Sequence, residues 1–281
     1  MTSTYFKYKN SELHYQICGQ GPTLLFIQGL LWDKNLWRSQ CQFLSKYYQC
    51  VVVELWEHGL SGHIPDHLCT LETLADDIWQ LTRHLKLTKF AIIGFSVGGT
   101  IGVHLALAHP SSVMAIMLLN TPLSEEPAKG KQLYDDLMTN VQKMGKLSHE
   151  TINGIVENCL SLKTKENHPL IPQQIRKHLE SIPTSNIKGI FTICRAVIDR
   201  KSILERIYNM DIPIQILVGQ EENPLILKEI QKIQHKFKNG HVVVIPGSAH
   251  LSMIEQPDIV CKVLMKHLNK YLFETIFSDS D

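Results

Sequence analysis

The run Ala91-Ile92-Ile93 ends in Gly94-Phe95-Ser96-Val97-Gly98, and a second apolar stretch of helical character, residues 100–108, follows. Buried strand, sharp turn, helix is the context in which Gly-x-Ser-x-Gly acquires chemical meaning. Bulky neighbours do not fit so tight a turn. Glycines at 94 and 98 give the backbone room, and Ser96 is left at the apex, strained and with its hydroxyl presented, which suits a nucleophile. An ordinary Gly/Ser turn is the alternative; the flanking strand and helix favour the nucleophile.

The rest of the chain alternates in the same way. Residues 4–9 and 12–18 read as a hairpin. Apolar runs at Thr23–Ile27, 50–55, 90–94, Val113–Leu119, 212–218 and 241–245 read as strands buried on both faces. Helical spacing appears over 35–47, 71–85, 97–108, 225–236 and 257–272, with Pro110 stopping the third of these. From 122 to 208 the alternation breaks into helical patterns only. The expected architecture is therefore α/β. A mostly parallel central sheet flanked by helices is built from 1–121 and 209–281, and a helical cap, or lid, is inserted at 122–208. The tail from Phe273 is expected to fray.

Composition narrows the function classes. In 281 residues the formal net charge is +1, so nothing pulls the whole chain toward nucleic acid or an anionic membrane. No run approaches the roughly 18 apolar residues of a membrane helix, and the first ten residues contain no signal-like apolar stretch; stable membrane association is not expected. Seven cysteines are scattered without CxxC spacing, several inside apolar runs, where cysteine acts as a small hydrophobe. A reducing, cytoplasmic setting is the simplest expectation. No metal-ligand, nicotinamide, flavin or Walker pattern is present, and no cofactor is expected.

In a parallel sheet, ligands bind beyond the carboxyl ends of the strands, so polar groups in the loops that follow strands can converge. A serine nucleophile needs a base, and the base needs an acid to orient it. His250, in the loop between the last strand and the last helix, is the leading base, ahead of His241 and His235. Glu222, after the strand at 212–218, is the chosen acid; Glu221 next door is left open, and Asp258 reads as a helix start. The oxyanion needs two backbone N–H donors. Val97 supplies one from a helix N-terminus, and Leu30, after the strand Thr23–Ile27, is expected to supply the other.

With these residues in view, the chain resembles the α/β-hydrolase superfamily over nearly its whole length. Gly94-Phe95-Ser96-Val97-Gly98 looks like that family's nucleophile elbow. Glu54-Leu55-Trp56-Glu57-His58-Gly59-Leu60-Ser61 resembles its Asp-x-Arg-Gly-His-Gly-x-Ser loop, and the segment from His250 to Pro257 resembles its catalytic-histidine segment. Four positions depart. Gln28-Gly29 stands for the usual His-Gly, Glu54 and Glu57 replace Asp and Gly, and the triad acid is Glu rather than the commoner Asp. A second family position for the acid, after Val113–Leu119, holds Asn120, which cannot supply a carboxylate.

The resemblance implies a carboxylesterase with a Ser96-His250-Glu222 triad, acting on an ester or thioester of a small to medium apolar acyl group. Leu31, Trp32 and Phe95 are expected to line the acyl pocket. Among small esterases the chain is similar to pimeloyl-acyl-carrier-protein methyl ester esterases. The cap is slightly basic, with 13 Lys/Arg against 10 Asp/Glu, so an acyl-carrier protein docking near Arg176, Lys177, Arg195 and Arg200 is one expectation beside a small-molecule ester. A C–C bond hydrolase or lactonase on the same triad, and a non-catalytic ligand-binding member of the fold, stay open.

Overall fold

The computed structural model describes residues 2–65 and 68–273. The hairpin is β1 (Thr2–Tyr8) and β2 (Ser11–Cys18), antiparallel. The chain then forms β3 (Thr23–Ile27), a 3-10 turn (Lys34–Trp37), α1 (Arg38–Leu44) and β4 (Gln49–Val53). Next come α2 (Leu71–His84), β5 (Phe90–Phe95), α3 (Val97–Ala108) and β6 (Val113–Leu119). After the helical insertion follow β7 (Ile214–Gly219), α10 (Pro224–Ile233), β8 (Gly240–Ile245), a one-turn α11 (Ser252–Glu255) and α12 (Pro257–Leu268). The eight strands form one sheet in the order β1-β2-β4-β3-β5-β6-β7-β8, and every pairing from β4 to β8 is parallel.

The strand assignments follow from composition. Every residue of β3, β5 and β7 is buried, as a two-sided parallel sheet demands. Side chains alternate between two cores. Leu25, Ile27, Ile92 and Ile116 face one together with α2 and α3, while Leu24, Phe26, Ile93 and Met117 face the other with α1 and α12. Helix α2 begins on a reciprocal Thr70–Thr73 cap, which satisfies two of its free amides. α11 is the element the sequence pattern hides. Four residues are too few to show a helical period, so 252–256 reads as loop.

Between β6 and β7 the chain makes α4 (Ala128–Met144), α5 (His149–Cys159), α6 (Leu162–Asn167), α7 (Leu170–Glu180), α8 (Thr184–Ile198) and α9 (Leu204–Tyr208). Buried residues Met138, Val156, Leu179 and Phe191 of this segment join the second core beside Trp32 and Phe95. The segment thus packs on the carboxyl edge of the sheet. Among the described residues no helix is long and apolar enough to cross a membrane. The tail expected to fray lies, from residue 274, outside the described residues.

Two glycines give opposite tests of this packing. A β-carbon on Gly98 would stand 2.3 Å from the carbonyl oxygens of Ile27 and Gln28, which are backbone and cannot swing away, whereas one on Gly154, within α5, would meet nothing within 4 Å. Gly98→Ala is expected to lower unfolding free energy by about 2–4 kcal/mol. Gly154→Ala should raise it by about 0.5–1 kcal/mol through helix propensity. Urea midpoints of the two variants check both signs.

Candidate active site

Ser96 joins β5 to α3 with φ +50° and ψ −125°, a backbone conformation that side-chain-bearing residues rarely adopt. The close approach behind it explains the glycines. A β-carbon on Gly94 would lie 2.4 Å from the Gly99 Cα. Ser96 N–H donates to Leu119 O across to β6 (2.9 Å), and among the described residues its hydroxyl has no structural partner.

His250 and Glu222 meet across the loops after β8 and β7. His250 Nδ1–H donates to Glu222 Oε2 at 2.7 Å, which leaves Nε2 as the nitrogen able to take a proton. Glu222 is 4% exposed. Burial pulls its carboxyl upward, but the His250 charge and hydrogen bonds from His250, Asn223 N–H and Asn120 outweigh that, so its pKa is lowered and it stays ionised at neutral pH. The neighbouring Glu221 turns the other way and accepts from Leu162 N–H of the helical segment (3.1 Å). His235 and His241 do not share the cavity of Ser96 and His250.

Asn120, which reads from sequence only as a missing acid, has a positive part. It sits at the end of β6 with φ +48° and donates from Nδ2 to the same Glu222 oxygen (2.6 Å) and to Ala249 O (3.2 Å). Ser252 Oγ in turn donates to Asn120 Oδ1 (2.8 Å), fixing which way the amide points. Glu255 accepts from Ala249 N–H (2.7 Å) and from Ser161 N–H of the helical segment (2.8 Å), so one buried carboxylate ties the His250 loop to the insertion. The signal for both was position: Asn120 directly follows a strand, and Glu255 lies in the histidine segment.

Ser96 and His250 open on one cavity of about 640 Å3, whose apolar wall includes Pro122, Tyr134, Val197, Leu204 and Ile226. Val97 stands at the first turn of α3 and Leu30 in the loop after β3, beside Ser96 through Gly29, whose β-carbon position is 3.1 Å from Ser96 Cβ. The residues expected in the acyl pocket fall elsewhere. Leu31 and Trp32 line a neighbouring cavity of about 230 Å3 with His58 and His178. Phe95 is fully buried with its ring 4.9 Å from that of His250, so it supports the imidazole rather than lining the cavity. Within that loop Leu31 has φ +72°.

That loop is gripped from two sides. Leu31 N–H donates to His58 Nε2 (3.0 Å), while Leu31 O accepts from His178 Nε2 of α7 (2.8 Å) and Trp32 stacks on the His178 ring at 5.6 Å. Gln28 Nε2 donates to Trp32 O (3.2 Å) within the same turn. His58 gives its Nδ1–H to Trp56 O (2.7 Å), so Nε2 has to stay unprotonated to receive Leu31. Burial pushes its pKa down to about 4.

A family model for the alpha/beta hydrolase fold matches residues 22–257. The chain belongs to that family. This alpha/beta hydrolase is 22% identical over 266 residues to the pimeloyl-[acyl-carrier protein] methyl ester esterase of Vibrio vulnificus, covering 93% of this chain and 100% of the other. In structure it is similar to a thermophilic esterase from Thermogutta terrifontis, with TM-score 0.86, 23% identity and coverage of 96% and 99% of the two chains. It is also similar to the enol-lactonase from Burkholderia xenovorans, with TM-score 0.85, 21% identity and coverage of 95% and 100%.

The His58 geometry predicts an acid weakness in this hydrolase. Free histidine titrates near pH 6.5 and folded His58 near 4, so between those values the unfolded chain binds the extra proton and stability falls as pH drops. The loss is on the order of 3 kcal/mol by pH 4. His58→Gln should reduce the stability slope between pH 6.5 and 4, measured as urea midpoints, leaving the parallel contributions of His104, His109 and His267, which burial also lowers. An unchanged slope would contradict the assignment.

Proposed function

We propose that the chain is a serine carboxylic ester hydrolase working through an acyl-enzyme. The reading rests above all on the Glu222–His250 hydrogen bond beside a cavity shared with a strained Ser96. Ser96 Oγ attacks the ester carbonyl carbon as His250 Nε2 takes its proton, and ionised Glu222 stabilises the imidazolium. Leu30 and Val97 N–H groups receive the oxyanion. The imidazolium then protonates the departing alcohol or thiol. Water, deprotonated by the same His250, releases the acid and restores Ser96. Residues 122–208 act as the cap over this cavity, whose apolar wall suits a small to medium acyl chain.

The relatives support the class: one acts on a carrier-protein methyl ester by name, and two of the similar folds are an esterase and a lactonase. A carrier-linked acyl ester is the second reading, but not through Arg195 and Arg200. Arg200 is buried and spends its guanidinium on Ser124 O, Val197 O and Glu126, while Arg195 pairs with Asp135. The cations on the rim of the Ser96 cavity are the exposed Lys228 and Lys232 of α10 and Lys236 just beyond it. They stand one helical turn apart, beside Glu125, Glu126, Glu205 and Glu229 of the same cavity, and would pair with an anionic group on the carrier.

Intact mass after exposure to a fluorophosphonate tests the mechanism. One adduct per chain on wild type and none on Ser96→Ala is expected; no adduct on folded wild type would sink the enzyme reading and leave a binding protein. Rates with aryl esters, acyl-lactones and ring-cleaved dienoates then separate esterase from lactonase and C–C hydrolase. For the carrier reading, Lys228→Glu with Lys232→Glu should raise KM for a carrier-linked ester roughly tenfold while an uncharged aryl ester is unaffected, because an uncharged ester carries no anionic group for the lysines to pair with.

A further inference from the structure

At the opposite edge of the sheet from Ser96, three thiols converge. Cys18 ends β2 and lies directly across from Cys50 in the antiparallel β2–β4 register, and Cys41 comes down from α1. Their sulfur atoms all lie within 4.8 Å of one another. Among the described residues this is the one place where three or more His, Cys, Asp or Glu ligand atoms gather so closely. Cys41 and Cys50 are buried and Cys18 is half-buried, so the group has a dry floor and an opening to solvent. No disulfide joins these three residues.

We propose that Cys18, Cys41 and Cys50 form a binding site for one soft, thiophilic d10 cation of the Cu(I) type, held by three sulfurs. The donor set chooses the class. Three thiolates without imidazole or carboxylate favour soft ions over Mg2+, Ca2+ or Mn2+, and a three-sulfur set suits a cation content with three ligands. The sulfurs need to close only slightly to share one ion, and they come from three separate elements that the fold already holds in place. Each thiol releases its proton to solvent as its sulfur bonds the metal; the cation keeps its oxidation state. The ion would pin β2, β4 and α1 together, away from the chemistry. The separation in sequence hides the group from any spacing rule, since Cys18, Cys41 and Cys50 look like core cysteines one at a time.

The test is anaerobic titration of the reduced full-length chain with Cu(I) held by a competing chelator, read by native mass spectrometry and thiolate-to-copper absorption. Wild type should take one Cu(I) per chain and melt at higher temperature with it. Cys18→Ser and Cys50→Ser should each lose that copper or bind it roughly tenfold or more weakly, with weaker binding in every case at lower pH. Cys69→Ser, a lone half-buried thiol elsewhere, should behave as wild type. Melting curves of the metal-free variants establish that they fold. The proposal is overturned if wild type retains no copper, if Cys18→Ser binds as tightly as wild type, or if Cys69→Ser abolishes binding. Zn(II) held more tightly than Cu(I) would also overturn it, as would a loss of two hydrogens to a disulfide with no copper retained.

Discussion

The first turn of α3 lies against the end of β3 with no space for a side chain. At Gly98 the carbonyls of Ile27 and Gln28 occupy the position a β-carbon would need, and at Gly94 the main chain of Gly99 does. That apposition forces the β5–α3 junction to turn within one residue, and Ser96 absorbs the turn at φ +50°. The strain is stable because both flanks are fully paired and packed: β5 between β3 and β6, α3 against α2. The serine hydroxyl therefore stands at the carboxyl edge, where the loops after β3, β7 and β8 also end.

Charge at that edge is arranged around one buried carboxylate. Desolvation raises the pKa of Glu222, and its three partners, His250, Asn223 N–H and Asn120, outweigh it. One of them, Asn120, occupies a place where relatives of the resembling family can carry the acid itself. The amide cannot ionise, but it can donate, and so it holds the Glu222 carboxylate. The extra methylene of Glu222 is accommodated because Asn120 and Asn223 N–H each take one end of the carboxylate. The other departures have similar accounts. Glu54 in place of Asp reaches both Lys34 N–H and Leu60 N–H, and Glu57, where Gly is usual, bears φ +66° with its carboxylate on Ile64 N–H.

Much of this was legible because the relevant signals are local. Buried strands are continuous apolar runs, and β3, α3 and β6 fall where the pattern puts them. The chain order of Ser96, Glu222 and His250 follows from the loops after strands. What stayed hidden depends on contacts between distant segments. The direction of the Leu31–Trp32 turn is set by His58 and by His178, 147 residues away from Leu31 in the second case, and no window of sequence contains that pairing. Glu221 and Glu222 are equivalent as neighbours in a loop; only the positions of Leu162 and His250 separate them. Arg200 reads as a surface cation until its burial against Ser124 and Glu126 is seen.

The central claim is that Glu222 orients and charges His250 for work on Ser96. Its most direct test is kcat on a simple aryl ester for Glu222→Gln beside Glu221→Gln, with melting curves showing that both fold. The account predicts a fall of roughly 10³–10⁴-fold for Glu222→Gln, since a neutral amide no longer stabilises the imidazolium or fixes its tautomer, and a value within a few-fold of wild type for Glu221→Gln. The reverse pattern, or a folded Glu222→Gln with wild-type kcat, would contradict it.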